Sequence, residues 1–142
     1  YQKQEFLSFM EDVRLNIKPG FGPMTDPKTF CEKCVDYAKT KGVELGYNIV
    51  DKTLDTQAVF DHIIELIDSN ILPSLLILRN PHREINEYTW HWMTITGYIK
   101  DTKEIIIATY GKRLKMDFTK AWGQEKKFST DLVFFCEKDN EK

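Results

Sequence analysis

The sequence predicts an α+β domain in which helices come first and an antiparallel sheet follows. In the first half of the chain, up to Ile67, apolar residues recur at helical spacing. From Ser74 onwards the apolar segments are short, rich in β-branched residues and separated by polar turns, which is typical of strands. A length of 142 residues is typical of one domain, so we expect a single domain over residues 1–142.

Three helices are predicted before the sheet. An amphipathic pattern over residues 3–15 indicates the first helix, and a loop rich in Pro and Gly follows it. The second helix begins at Pro27, because proline is favoured at the first helical position, and it stops at Gly42. The third is capped by Asp55 or Thr56, and its side chains form a wide apolar stripe of Val59, Phe60, Ile63, Ile64 and Ile67.

The remaining segments predict strands. A short strand is expected over residues 43–50, between the second and third helices. Asp101 and Thr102 lie in a polar turn, so the strands on either side of them should form an antiparallel hairpin. The five strands expected after the third helix cover residues 74–78, 90–98, 104–109, 113–118 and 131–137.

Composition excludes several classes of partner. The 20 basic and 22 acidic residues are interspersed and leave a net charge of -2, so no nucleic-acid surface is expected. No apolar segment reaches the roughly 18 residues of a membrane span, and no signal segment opens the chain. We therefore expect a soluble protein, cytoplasmic or extracellular. The three cysteines, an odd number, leave the redox compartment open.

One predicted hairpin contains the most informative motif. His91 opens a strand that ends in Gly97-Tyr98, and an apolar return strand leads to Tyr110-Gly111. This arrangement resembles the histidine hairpin of papain-like cysteine peptidases. In that family a histidine and five further residues precede Gly-Tyr, and an apolar strand then leads to Asn-Ser-Trp-Gly.

The order of the other elements resembles bacterial papain-like peptidases of the type that processes bacteriocin leaders. In that group a segment like Gly22 to Gly42, a further helix and an apolar strand like Pro73 to Leu78 precede the hairpin. The family begins with a helix that contains Cys-Gly-Pro and supplies the nucleophile, and nothing in this sequence resembles it. The resemblance implies a papain-like fold, with the nucleophile expected upstream of Tyr1 or on a separate chain.

The resemblance also implies roles for residues of the hairpin. His91 corresponds to the general base, and then acid, of thiol-dependent peptide-bond hydrolysis. The place of the family's orienting Asn is held by Ala108, whose methyl group accepts no hydrogen bond, and neighbouring Thr109 is the alternative. Tyr110 matches the family's Trp, whose ring shields the hydrogen bond of the histidine from water. Thr109 and Tyr110 are thus the expected orienting or cleft residues.

Cys31 and Cys34 form a Cys-x-x-Cys pair on the second predicted helix. Such a pair suggests redox or zinc chemistry, but there is neither a thioredoxin-like βαβ pattern nor a second ligand pair at zinc spacing. Cys31 is a candidate nucleophile, although it lies in the second helical turn, where the effect of the helix dipole has faded. We favour two thiols packed as small apolar groups, and expect no metal or cofactor.

Two other histidines are alternatives to His91. His62 is expected on the solvated side of the third helix, and His82 lies in a loop that would overhang the cleft in a papain-like fold. Neither has a motif around it, so His91 is the favoured catalytic residue.

Two functions from different classes follow. The first is a cysteine peptidase that acts on a peptide or protein. The second is a catalytically inactive papain-fold domain that binds a peptide or partner, which Ala108 favours. In both cases the missing nucleophile helix would leave the sheet face of His91, Met93 and Ile95 exposed. We therefore expect association with the protein's own N-terminal segment or with a second copy.

Overall fold

The computed structural model describes Ser8 and residues 26–138, and these form an α+β structure with a six-stranded antiparallel sheet. The chain divides into two compact units, residues 1–47 with 136–142 and residues 48–135. The first predicted helix lies outside the described residues. The elements are α1 (Pro27–Thr40), β1 (Leu45–Ile49), α2 (Thr56–Asp68), β2 (Ser74–Arg79), α3 (Arg83–Asn86), β3 (His91–Ile99), β4 (Glu104–Thr109), β5 (Lys112–Asp117), α4 (Phe118–Ala121) and β6 (Ser129–Glu137).

Helix α1 of the first unit begins and ends as its sequence predicts. The Asp26 side chain caps the helix by accepting a hydrogen bond from the Thr29 N–H, and Pro27 occupies the first turn. Gly42 follows the helix with a φ of 79°, a left-handed conformation that glycine adopts without steric cost. The helix buries Cys31 and Tyr37.

Helix α2 of the second unit is capped by Asp55, whose carboxylate accepts from the Ala58 N–H at 2.8 Å. The predicted helix is confirmed, but its buried stripe is narrower than expected. Ile64 and Ile67 are only half-buried, whereas Leu66 is buried. The buried residues follow a spacing of three to four residues that places them on one face: Val59, Phe60, Ile63 and Leu66.

The strands lie in the order β1-β6-β2-β3-β4-β5, so β5 is at one edge. The predicted hairpin of β3 and β4 is confirmed, with Thr94 opposite Ala108 and Ile95 opposite Ile107. The register shifts between Ile95 and Gly97, which indicates a β-bulge. Glycine suits this bulge because a Cβ at Gly97 would lie only 3.2 Å from the Ile106 side chain.

The apolar residues on the sheet face that bears His91 are buried. Met93 and Ile95 are 3% and 0% exposed, and α2 packs on β3. The Tyr98 hydroxyl donates to the Asp68 carboxylate at 2.8 Å and joins the end of the strand to the end of the helix. The expectation that this face is exposed is therefore wrong for Met93 and Ile95.

Two single-turn helices, α3 and α4, were not predicted, because four residues are too few to show a helical period. The side chain of buried Asn80 links the residue that precedes α3 to α4. Its side-chain N–H donates to the Lys120 carbonyl at 2.8 Å, and its side-chain oxygen accepts from the His82 N–H. In the part of the chain that the structure describes, no helix combines the length and apolar character that crossing a membrane requires.

Candidate catalytic histidine site

His91 is the first residue of β3 and lies half-buried at the end of the sheet. Its Nε2 atom is hydrogen-bonded to the hydroxyl of Thr109, the last residue of β4. Thr109 is 8% exposed and alternates with buried Ile105 and Ile107 along β4, so it points to the same sheet face as they do. The pairing of Ile95 with Ile107 places His91 on that face as well. The hairpin register therefore brings the imidazole and the hydroxyl together.

Tyr110 stacks on the imidazole of His91, with ring centroids 4.6 Å apart and planes inclined by 3°. The ring is held there by the turn from Thr109 to Lys112. Tyr110 and Gly111 have φ angles of 51° and 72°, as a type I′ hairpin turn requires. A bulky residue with positive φ destabilises the folded state by roughly 1–3 kcal/mol. The aromatic stacking stabilises it by roughly 0.5–1.5 kcal/mol, which offsets part of this cost. Tyr110 nevertheless remains 62% exposed to solvent.

Two further aromatic residues border the site. Tyr88 stacks on Tyr110 with centroids 6.5 Å apart and planes inclined by 29°. Trp90 precedes His91, has a φ of 61° and is 57% exposed. Its N–H donates to the carbonyl of Ile77 at 2.7 Å, which fixes the backbone that enters β3. An exposed aromatic surface thus surrounds a polar pair.

Burial lowers the pKa of His91 below its usual 6.5. The imidazole is therefore mainly neutral at pH 7, which is the form that accepts a proton. Thr109 is its hydrogen-bond partner through Nε2, and no hydrogen bond reaches Nδ1 from residues 26–138. A hydroxyl can both donate and accept, whereas an Asn or Asp oxygen only accepts, so Thr109 fixes the tautomer of His91 less firmly.

Ala108 does not lie beside His91. It pairs with Thr94 on the opposite face of the sheet, because side chains of a strand alternate between faces. The structure brings Thr109 and Tyr110, but not Ala108, to the imidazole. The sequence alone does not distinguish Ala108 from Thr109 as the partner of His91. Once the register of the hairpin is known, the alternation of side chains along β4 from Ile107 places Thr109 on the face of His91.

The three cysteines are free thiols and belong to the first unit, whereas His91 belongs to the second. Cys31 is fully buried in α1, and burial raises the pKa of its thiol to about 12. Burial likewise raises the pKa of Cys34 to about 11. A nucleophilic cysteine needs a lowered pKa, so the surroundings of Cys31 oppose this role. Cys136 lies within β6 rather than at a helix N-terminus.

The other two histidines make aromatic contacts. His62 is half-buried, with its ring edge-on to Phe134 at 5.4 Å, so the expectation that it faces solvent is wrong. His82 precedes α3, and its ring lies 6.1 Å from the ring of Phe128. Neither ring has a hydrogen-bonded hydroxyl or thiol among the described residues, unlike His91.

No protein-family model matches this chain, and no curated protein matches it. The resemblance to papain-like peptidases therefore stays a prediction from the histidine hairpin.

We expect replacement of Tyr110 by Asn to raise the pKa of His91 toward 6.5, because water returns to the imidazole when the stacked ring is removed. Asn is favoured at this turn position, so the hairpin should persist. An NMR titration of the His91 ring protons measures the change. Trp90→Asn is the matched control, since Trp90 is also exposed with positive φ but makes no ring contact with His91 within the described chain. An unchanged His91 pKa in Tyr110→Asn would contradict the shielding role.

Replacement of Thr109 by Val keeps the shape of the side chain and removes the hydrogen bond to His91. We expect a loss of about 1 kcal/mol in the free energy of unfolding, because Nε2 loses its partner. Imidazole ¹⁵N shifts should also report a changed mixture of tautomers. Thr94→Val is the control, since Thr94 lies on the opposite face and its hydroxyl has no partner among residues 26–138. Equal effects of the two substitutions on stability and tautomer would exclude an orienting role for Thr109.

The raised thiol pKa values predict slow labelling of Cys31 and Cys34. At pH 7 a pKa of about 11 or 12 leaves a thiolate fraction of ~10⁻⁴ or less. A thiol reagent followed by peptide mass spectrometry should modify both residues slowly in the native protein and rapidly in denaturant. Rapid labelling of native Cys31 would restore it as a candidate nucleophile.

Proposed function

We propose that this chain carries the histidine part of a papain-like cysteine peptidase, and that a thiol from outside the three cysteines of the sequence attacks the peptide bond. The arrangement of His91, Thr109 and Tyr110 supports this proposal most directly. One imidazole nitrogen is hydrogen-bonded, an aromatic ring covers the imidazole, and Nδ1 has no partner in residues 26–138. A catalytic base of this type needs one nitrogen oriented and the other available to its substrate.

The proposed reaction uses the neutral imidazole as a base and its protonated form as an acid. Nδ1 of His91 takes the proton of the thiol, and the sulfur attacks the carbonyl carbon of the peptide bond. As the C–N bond breaks, His91 returns the proton to the leaving amine, which leaves a thioester. Water then attacks the thioester while His91 accepts a proton from it, and that proton passes to the departing sulfur.

Other nucleophiles within the chain are less suitable. The Thr109 hydroxyl contacts the imidazole, but the residue is 8% exposed, so a peptide carbonyl would have little access to it. The thiol of Cys31 is fully buried and its pKa is raised. These two observations favour a nucleophile supplied by another segment or chain.

A second candidate function is an inactive papain-fold domain that binds a peptide without cleaving it. The hydroxyl of Thr109 favours this alternative, because it orients the imidazole less firmly than the amide oxygen of the family's Asn. The exposed rings of Trp90 and Tyr110 suit peptide binding in either case. A cysteine-bearing helix in the encoded sequence before Tyr1 would favour the peptidase.

In a protein that contains both this chain and the proposed nucleophile, His91→Ala is expected to lower the rate of peptide hydrolysis by about 10²–10⁴-fold, the usual contribution of a general acid–base. His82→Ala is the control, since His82 has no hydroxyl or thiol partner in the described chain and should leave the rate nearly unchanged. Circular dichroism checks that both variants fold. Full activity of His91→Ala would remove His91 from the mechanism. An inactive wild-type protein that still binds peptides would favour the second candidate function.

A further inference from the structure

A small pocket of about 130 Å³ lies between α3, the residues that follow it and β5. Ile85 and Met116, which are 2% and 4% exposed, form its apolar floor, and Tyr88 forms one wall. An apolar cavity of roughly 150 Å³ accommodates benzene, so this pocket has room for one apolar side chain of moderate size. Its remaining lining residues are charged: Glu84, Lys115, Asp117 and Lys120.

The pocket adjoins the histidine site through aromatic rings. Tyr88, one wall of the pocket, stacks on Tyr110, and Tyr110 stacks on His91. These two steps span on the order of 10 Å, which an extended peptide covers with about three residues. A peptide bound with one residue at His91 could therefore place another side chain in the pocket.

The cations without an ion pair near the pocket lie on β5. Glu84 and Lys120 form an ion pair with each other, and the Asp117 carboxylate keeps its negative charge while it accepts hydrogen bonds from Thr119. Lys115, by contrast, is exposed and has no ion pair among the described residues. The same holds for Lys112 and Arg113, so β5 carries three unpaired cations.

Strand β5 also offers backbone groups for binding. It is the last strand in the order of the sheet, so its outer side pairs with no other strand of the described chain. An extended peptide can add to such an edge through main-chain hydrogen bonds, while pockets select its side chains. The three cations complement acidic side chains of such a peptide.

We propose that the edge of β5 and this pocket together bind an acidic, extended segment of the peptide substrate, with one apolar side chain in the pocket. The inference rests on the proposed function, since it assigns a substrate class to the same site. Cations on an edge strand also discourage unwanted pairing with other sheets. That simpler role predicts no selectivity among bound peptides.

Three fluorescein-labelled ten-residue peptides test the proposal by fluorescence anisotropy with this chain. The parent peptide carries one Leu flanked by two Glu residues on each side, in a Gly/Ser background. Replacing Leu by Ser should weaken binding by about 10-fold or more, because the pocket then buries no apolar group. Replacing Glu by Lys should abolish binding, and 0.5 M salt should weaken binding of the parent.

Two variants locate the binding site. Lys115→Glu is expected to weaken binding of the parent peptide by about 5-fold, whereas Lys100→Glu, in the exposed turn after β3, should have little effect. Tyr88→Ala should weaken binding of the Leu peptide more than that of the Ser peptide. Equal binding of all three peptides, or equal effects of the two lysine substitutions, would overturn the proposal.

Binding is measured without hydrolysis, so the two proposals fail separately. Selective binding together with an inactive intact protein would support the peptide site and overturn the peptidase function. Hydrolysis that depends on His91, together with unselective binding, would support the function and overturn this site.

Discussion

The register of β3 against β4 is the constraint on which the candidate site depends. Because side chains alternate between sheet faces, pairing Ile95 with Ile107 puts His91 and Thr109 on one face and Ala108 on the other. A shift of one residue would place a methyl group beside the imidazole instead of a hydroxyl. Buried Ile105 and Ile107 secure this register, since a slip would move both from the core to the other face. Packing of the core thereby sets the chemistry at the end of the sheet.

Two of the four described non-glycine residues with positive φ lie next to His91 in the sequence or in space. Trp90 and Tyr110 are both bulky residues with positive φ, and both are exposed. In a turn built for stability alone, Asn-Gly would occupy the positions of Tyr110 and Gly111. The stacking of Tyr110 on His91 offsets part of the conformational cost, and it also removes water from one side of the ring. A side chain that is unfavourable for the turn but contacts a histidine is consistent with the role proposed for this site.

Local signals in the sequence were sufficient for α1, α2 and the hairpin of β3 and β4, because Asp26-Pro27, Asp55 and the turn at Asp101 each fix the backbone nearby. The position of His91 at the start of a strand followed from the alternating pattern of residues 90–98. The partner of His91 did not, since choosing Thr109 over Ala108 requires the register between two strands. Likewise, α3 and the pocket beside it could not be predicted, because a helix of a single turn is too short to produce a helical period in the sequence.

The location of His91 at the end of β3 also explains its electrostatics. The positions of Met93 and Ile95, further along the strand, are buried, and the preceding residue Trp90 is 57% exposed. Half-burial lowers the pKa below its usual 6.5, which further favours the neutral base at pH 7, yet leaves part of the ring accessible. If a thiolate came within a few ångströms, its charge would stabilise the imidazolium and raise this pKa again. The site on its own therefore has the properties of a base, and the ion pair of a cysteine peptidase would require its nucleophile to be present.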